Sequence, residues 1–178
     1  MQTLSWCFCT LLVLAPGSGR KDHSLIDWSP ARKLVWTDFR ALPVRNLGVA
    51  ALSSTSIQVQ FEFRDHSMVY HIRCRFDKNS SWGRIRTAYI LSHEQLHFDI
   101  AELFSRKLNR ALKAFGAAGK DQENEAHRLY GSMMLAYRKT QEEFDRQTDF
   151  SINKPMQEVW SEKVRSELKE LNAYAGYR

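Results

Sequence analysis

The middle of the chain alternates hydrophobic and polar residues with a period of two. SIQVQFEF (56–63) and VYHIRCRF (69–76) both show this alternation, which is typical of strands with one buried face. RDHS (64–67) between them predicts the turn of a β-hairpin. KLVWTDF (33–39) and GVAALSS (48–54) predict two further strands. The hairpin residues expected to face inward are Ile57, Val59, Phe61, Phe63, Tyr70, Ile72, Cys74 and Phe76.

The second half of the chain has a helical period instead. Hydrophobic residues recur every three or four positions from about residue 86 onward, which predicts a first helix over about 86–115 and a second over about 122–148. Asp121 is a suitable N-cap for the second helix. A third helix is expected to begin near Asn153, with Pro155 in its first turn. A small antiparallel sheet followed by three helices is an α+β fold.

Composition narrows the class of protein further. The 178 residues, 43% of them hydrophobic and 26% charged, are enough for one globular domain with a hydrophobic core. The net charge is +6, but the basic residues are scattered and form no run of five or more. This distribution disfavours nucleic acid as a partner.

The first nineteen residues differ from the rest of the chain. The uncharged hydrophobic run Leu4–Ala15 suits the core of a signal peptide and is too short to span a bilayer as a mature helix. We therefore expect residues 1–19 to be a cleaved export signal. Residues 20–178 would then form one secreted or periplasmic domain without stable membrane insertion, and Cys74 would be its single cysteine. The alternative is an N-terminal anchor or a buried segment.

The first predicted helix carries the motif H-E-x-x-H at residues 93–97. Both imidazoles lie on the face expected to meet the core, one turn apart, where they can bind one ion. Glu94 lies beside them, in the position of a general base acting on a metal-activated water. The inward-facing residues of this helix are Ile90, His93, His97, Ala101, Phe104, Leu108, Ala111 and Phe115.

Burial makes a metal ion a good partner for this pair. Each buried imidazole needs a polar partner in the same small volume, because an unpaired buried polar group costs about 1–3 kcal/mol. One metal ion would satisfy both His93 and His97. The alternative is that both histidines are half exposed and form ordinary hydrogen bonds.

Several other polar residues fit structural roles better than catalytic ones. His71 and His127 are expected to be exposed, and Tyr137 is expected in the core rather than as an oxyanion stabiliser. Glu102 and Asp99 lie about 140° and 200° around the helix from His97, so neither can share its metal ion. Asp99 could instead orient a metal-binding histidine or bind the second helix.

The motif and its surroundings resemble the DUF922 family, described as predicted secreted zinc-dependent proteases. The resemblance rests on LSHEQLHFDIAELFSRKL (91–108), on LVWTDFRALP (34–43) before it, and on FDRQT (144–148) followed by QEVW (157–160). It covers about residues 28–171. The resemblance implies a zincin-type site that binds Zn²⁺ and cuts a peptide or protein substrate. His93 and His97 would be zinc ligands, and Glu94 would activate the water.

The third metal ligand is the point where the chain departs from the family pattern. The pattern places a histidine after the second helix, where this chain has Phe150. If the first two helices form a hairpin, Glu142, Asp145 and Asp149 come from the end of the second helix that faces the motif. A carboxylate would complete a ligand set known for catalytic zinc. Asp149 is our first choice as metal ligand and Asp145 the second.

Two main functional hypotheses follow. The first is an exported zinc peptidase whose site lies in a cleft between the first helix and an edge of the sheet. The second is a catalytically degenerate zincin-fold protein that binds a peptide, an envelope partner or a metal without hydrolysis, which Phe150 favours. A structural domain with an accidental motif is a third possibility.

Overall fold

The computed structural model describes residues 23–45, 47–64, 67–115 and 122–177. The predicted export signal, the tip of the hairpin turn and Asp121 lie outside these residues. The elements are β1 Leu25–Asp27, β2 Ala51–Leu52, β3 Thr55–Arg64, β4 Ser67–Asp77, β5 Trp82–Gly83, α1 Ala88–Phe115, α2 Gln122–Thr148 and α3 Lys154–Glu170, with short 3-10 turns at Trp36–Asp38 and Asn172–Tyr174. The predicted α+β order, a small antiparallel sheet followed by three helices, is confirmed for the described part of the chain.

Strands β3 and β4 form the hairpin that the alternating pattern predicts. Ile57 pairs with Cys74 and Val59 with Ile72, so the hydrophobic positions of both strands share one face. Ile57, Ile72 and Cys74 are buried in the core. Strand β1, which the pattern did not predict, pairs antiparallel with β4 and gives the sheet order β1-β4-β3.

The predicted strand at 33–39 is wrong, because this segment contains the 3-10 turn Trp36–Asp38. Its backbone is held by side chains rather than by a neighbouring strand. Oδ2 of Asp38 accepts a hydrogen bond from the main-chain N–H of Val35 at 2.9 Å, and Arg32 donates to both oxygens of Asp38. Side-chain acceptors of this kind compete with strand pairing for backbone donors.

The predicted strand at 48–54 exists only as the two residues of β2. It pairs with β5 in a separate two-stranded sheet instead of joining the hairpin. Gly83 in β5 allows a close approach that any larger residue would block, since a Cβ there would lie 2.5 Å from the Trp36 ring. This packing holds β2 and β5 beside the N-terminal half of α1, which contacts β2.

Helix α1 is the centre of the molecule rather than a helix with one buried stripe. It contacts β3 and β4 on one side and α2 and α3 on the other. Buried residues therefore also lie outside the predicted stripe, including Leu96, Phe98 and Ile100, whereas Ala111 and Phe115 of the stripe are only half-buried. A polar side chain on the buried part of α1 must find its partner inside the protein.

Helix α3 begins where the sequence predicts. The Asn153 side chain accepts a hydrogen bond from the main-chain N–H of Met156, and Pro155 lies in the first turn. The turn between α2 and α3 is strained, because Asp149, Phe150 and Ser151 all have positive φ angles of 47°, 49° and 77°. This tight turn brings the start of α3 back against the end of α2.

Within the described residues, none of the helices is both long and hydrophobic enough to cross a membrane.

Candidate metal centre

His93 and His97 lie in the first half of α1, on the side that faces α2 and α3. Their ring centroids are 4.9 Å apart, and the rings are nearly perpendicular. His93 is 3% exposed and the His97 side chain 13%. The expectation that both imidazoles point inward together is confirmed, and the half-exposed alternative is not.

Asp145 of α2 brings one oxygen to both imidazoles. Its Oδ1 lies 3.2 Å from Nε2 of His93 and 3.1 Å from Nε2 of His97. Candidate donor atoms of the three residues all lie within 4.8 Å of one another. Ligands bound tetrahedrally to zinc at 2.0–2.1 Å are themselves about 3.3 Å apart. The two distances to Asp145 match this separation, so the chemistry and spacing of the donors are compatible with a zinc ion.

The other ring nitrogens face two glutamine side chains. Nδ1 of His97 lies 2.6 Å from Oε1 of Gln141 in α2, and Nδ1 of His93 lies 3.1 Å from Oε1 of Gln157 in α3. A glutamine oxygen can only accept, so each Nδ1 carries the proton. In the metal-free protein, a protonated His97 donates from Nε2 to Oδ1 of Asp145. Loss of that proton leaves a lone pair on Nε2, which a metal ligand requires.

Phe144 forms the hydrophobic wall of the cluster. Its ring stacks on His93 at 4.4 Å between centroids and meets His97 edge-on at 4.9 Å. Trp160 of α3 packs against the far side of Phe144. These rings limit the movement of both imidazoles and keep water from one side of them.

Glu94 is buried beside the histidines with an unsatisfied carboxylate oxygen. The residue is 3% exposed, and no described residue forms a hydrogen bond with its Oε2. Burial raises the pKa of Glu94, an effect that the nearby His97, His93 and Ser53 only partly offset. An unpaired carboxylate oxygen is costly inside a protein, so this atom is poised for a partner that a metal site supplies, such as a water molecule.

The pKa values of the metal-free cluster reflect an ion pair. Burial alone lowers the pKa of His97, but the Asp145 carboxylate, with help from Glu94 and Gln141, raises it to about 9. Burial raises the pKa of Asp145, but His97 and His93 hold it well below its usual range. A proton on His97 therefore competes with a metal ion for the same nitrogen.

The third donor differs from our first choice. Asp145, the second choice, joins the two histidines, whereas Asp149 is exposed in the strained turn beyond α2 and is not part of the group. Glu142 is exposed as well. Asp145 lies one helical turn before Asp149 and so still faces α1, while the positive φ angle of Asp149 marks the end of the helix. Phe150 is 49% exposed, and the donor group does not include its position.

The cluster lies among three helices rather than in a cleft between α1 and the sheet. Ser53, the residue after β2, donates a hydrogen bond to the main-chain oxygen of Glu94 at 3.3 Å. Asp99 does not support a histidine, because its carboxylate binds Trp28, Gln95 and Lys33.

The sequence reasoning missed both glutamines. Gln141 continues the inward stripe of α2, four residues after Tyr137 and three before Phe144, and Gln157 precedes Trp160 by three. This spacing is the signal in the sequence that could have identified both glutamines.

The remaining candidates lie where the sequence predicts. His71 and His127 are exposed. Tyr137 is 4% exposed, and its hydroxyl lies 2.7 Å from Oγ1 of Thr55, which agrees with a role in the core.

Comparison with known proteins gives one match. The family described as "Bacterial protein of unknown function (DUF922)" matches residues 43–151. This span includes the H-E-x-x-H motif and Asp145 but not Gln157. No curated protein and no solved structure matches the chain significantly.

Proposed function

This chain belongs to the DUF922 family, and we propose that it is an exported zinc-dependent metallopeptidase of the zincin type. His93, His97 and Asp145 would hold the metal, with two imidazole nitrogens and one carboxylate oxygen as donors. The observation that carries the proposal is the convergence of both Nε2 atoms on Oδ1 of Asp145 at 3.2 and 3.1 Å.

The donor set agrees with catalytic zinc. Two imidazoles and one carboxylate leave the fourth position of a tetrahedral ion free for water or substrate. Zinc in such a site lowers the pKa of a water molecule and polarises a carbonyl group. Asp145 is the most accessible of the three donors, with 31% of its side chain exposed.

Glu94 supplies the proton transfer. Its buried carboxylate lies next to the histidines, and its Oε2 has no partner among the described residues. In peptide hydrolysis this oxygen takes the proton from the attacking water and passes it to the leaving amine. Burial raises the pKa of Glu94, which brings the acid closer to neutrality and suits it to both steps.

A second candidate function is metal binding without hydrolysis. The observation that favours it is the depth of Glu94, which is only 3% exposed. Two surface cavities of about 460 and 360 Å³ lie elsewhere, and neither is lined by the proposed ligands. If the site does not open to a peptide, the same residues hold a metal ion in a structural or binding role.

One substitution separates the two functions. Glu94→Gln keeps the ligand set, so we expect zinc content to stay at the wild-type level while cleavage of a casein or mixed-peptide substrate falls about 10²–10⁴-fold. Asp149→Asn is the matched control and should leave both properties unchanged. If the wild-type protein holds zinc but is as inactive on these substrates as Glu94→Gln, the second function is favoured.

Export is part of the proposal and rests on the hydrophobic run at Leu4–Ala15. The test is the N-terminus of the protein recovered from its native cells. A mature chain that starts near residue 20 supports export, and an intact chain retained in the cytoplasm contradicts it.

A further inference from the structure

At each histidine of the cluster, Nδ1, the ring nitrogen that faces away from Asp145, contacts a buried glutamine of a different helix. Gln141 of α2 contacts His97, and Gln157 of α3 contacts His93. The two glutamines are 8% and 5% exposed. Burial of an amide is costly unless its hydrogen bonds are formed, so both side chains are committed to these contacts.

The orientation of each amide is determined at its other end. Nε2 of Gln141 donates to the main-chain oxygen of His97 at 2.9 Å. Nε2 of Gln157 donates to Oγ of Ser92 at 3.0 Å, and that hydroxyl donates to the main-chain oxygen of Tyr89. Because both amide nitrogens are engaged elsewhere, each amide oxygen must face an imidazole.

We propose that Gln141 and Gln157 are positioning residues that hold both histidines with the proton on Nδ1, and that they thereby set the metal affinity of the site. The inference rests on the metal site of the proposed function. It concerns residues on three helices, α1, α2 and α3.

The neutral side chain of glutamine suits this position better than a carboxylate. Asp145 and Glu94 already bring two negative charges to the cluster, which match the two positive charges of a zinc ion. A carboxylate at 141 or 157 would add a buried charge and lower the stability of the metal-free protein. It would still accept from Nδ1–H, so its effect on folding and its effect on zinc affinity are measured separately. An amide oxygen accepts from Nδ1–H without adding charge.

The first test compares three single variants by titrating the metal-free protein with Zn²⁺ alone. Gln157→Leu removes the acceptor, and we expect zinc affinity to fall about 10–100-fold, as is typical when a partner of a metal-binding histidine is lost. Gln147→Leu is the matched control. Gln147 is also a hydrogen-bonded glutamine near the cluster, but its partners are Trp160 and Glu143 rather than a histidine.

Gln157→Glu distinguishes positioning from simple packing. The carboxylate keeps the acceptor for Nδ1–H of His93, and the Ser92 hydroxyl can rotate to donate to it. We expect Gln157→Glu to keep zinc affinity near the wild-type level. If Gln157 acted only through packing, Gln157→Leu and Gln157→Glu would lower zinc affinity equally. Thermal unfolding of the metal-free variants checks that each one folds.

A second readout follows the proton itself. In the zinc-loaded wild type, the Nδ1–H proton of His93 should exchange slowly with solvent in NMR spectra. We expect the slow exchange to persist in Gln147→Leu and Gln157→Glu and to disappear in Gln157→Leu.

The outcomes separate this inference from the proposed function. If Gln157→Leu matches Gln147→Leu, or if Gln157→Glu loses as much affinity as Gln157→Leu, the positioning role is overturned while the metal site stands. A wild-type protein that binds zinc but cleaves no peptide overturns the peptidase and leaves the inference intact. A wild-type protein that takes up no zinc overturns both.

Discussion

Helix α1 carries two buried charged clusters that differ in how their charges are paired. In the Glu102 cluster (Glu102, Arg106, Tyr177), the carboxylate accepts from Nε of Arg106 at 2.9 Å and from the Tyr177 hydroxyl. Arg106 also donates to the main-chain oxygen of Leu168 at 2.7 Å. Both oxygens of Glu102 therefore have partners within the protein.

The histidine cluster (His93, His97, Asp145, Glu94) is paired differently. Its α1 residues lie about one and a half to two and a half turns before Glu102. Two imidazoles share one oxygen of Asp145, and Oε2 of Glu94 has no partner among the described residues. The comparison teaches that buried charge alone does not mark a functional site. Converging donors beside an unsatisfied carboxylate oxygen are the more specific sign of a possible binding site, because they leave a polar atom without a partner.

The largest effect is expected from breaking the Glu102 cluster. Arg106→Leu leaves the Glu102 carboxylate buried without its cation, so the free energy of unfolding should fall by about 3–5 kcal/mol. Urea denaturation measures this change. Arg128→Leu, which breaks the exposed pair with Glu125, should change it by less than about 1 kcal/mol. If zinc affinity fell as strongly as stability in Arg106→Leu, the two clusters would not be independent.

Breaking the histidine cluster is expected to lower zinc affinity strongly and metal-free stability only slightly. Asp145→Asn removes the charged ligand, so zinc affinity should fall by more than the roughly 100-fold typical of an outer partner. Metal-free stability should change far less than in Arg106→Leu. Calorimetric titration with zinc and urea denaturation measure the two effects. Unchanged zinc binding in Asp145→Asn would remove this residue from the ligand set.

Zinc affinity should also depend on pH. His97 in the folded metal-free protein has a raised pKa of about 9. Its protonation therefore stabilises the folded metal-free protein. The stabilisation is fully present below the pKa of about 6.5 that His has in the unfolded chain, and it is lost as pH rises towards 9. Zinc must displace this proton, and affinity should rise by up to about tenfold per pH unit between pH 7 and 9. Calorimetric zinc titrations in buffers of different ionisation enthalpy count the protons released on binding. Zinc affinity that does not change between pH 7 and 9 would contradict the ion pair between His97 and Asp145.

The smallest effect on metal-free stability is expected when Glu94 is replaced by Gln, and the same change at Glu102 provides the comparison. Burial raises the pKa of Glu94, so ionisation of this group destabilises the folded metal-free protein as pH rises above its unfolded value. Glu94→Gln removes that cost, and metal-free stability at pH 8 should stay level or rise by about 1 kcal/mol. Glu102→Gln breaks a satisfied pair and should lower stability. If both variants lost metal-free stability, the Glu94 carboxylate would have a stabilising partner in the folded protein, as Glu102 has.

The hairpin, the helices and the inward direction of both histidines could be predicted from sequence. Alternating residues such as Ile57 and Ile72, and the one-turn spacing of His93 and His97, depend only on local geometry. The Trp36–Asp38 turn could not be predicted in this way, because Arg32 and Asp38 override a pattern that is typical of a strand.

The third donor and the glutamines depend on how helices pack. Asp145 and Asp149 are separated by one turn in sequence, and the choice between them depends on where α2 ends and the strained turn begins. Gln157 reaches His93 from α3, 64 residues away along the chain. Such contacts follow from the tight turn at 149–151, which periodicity does not reveal.

The most direct test of the central claim is the zinc K-edge absorption spectrum of the zinc-loaded protein. If His93, His97 and Asp145 bind the ion, the spectrum should fit one zinc per chain with two imidazole nitrogens and oxygen ligands at about 2.0–2.1 Å. A chain that takes up no zinc, or a spectrum that is unchanged when both histidines are replaced by glutamine, would contradict the account.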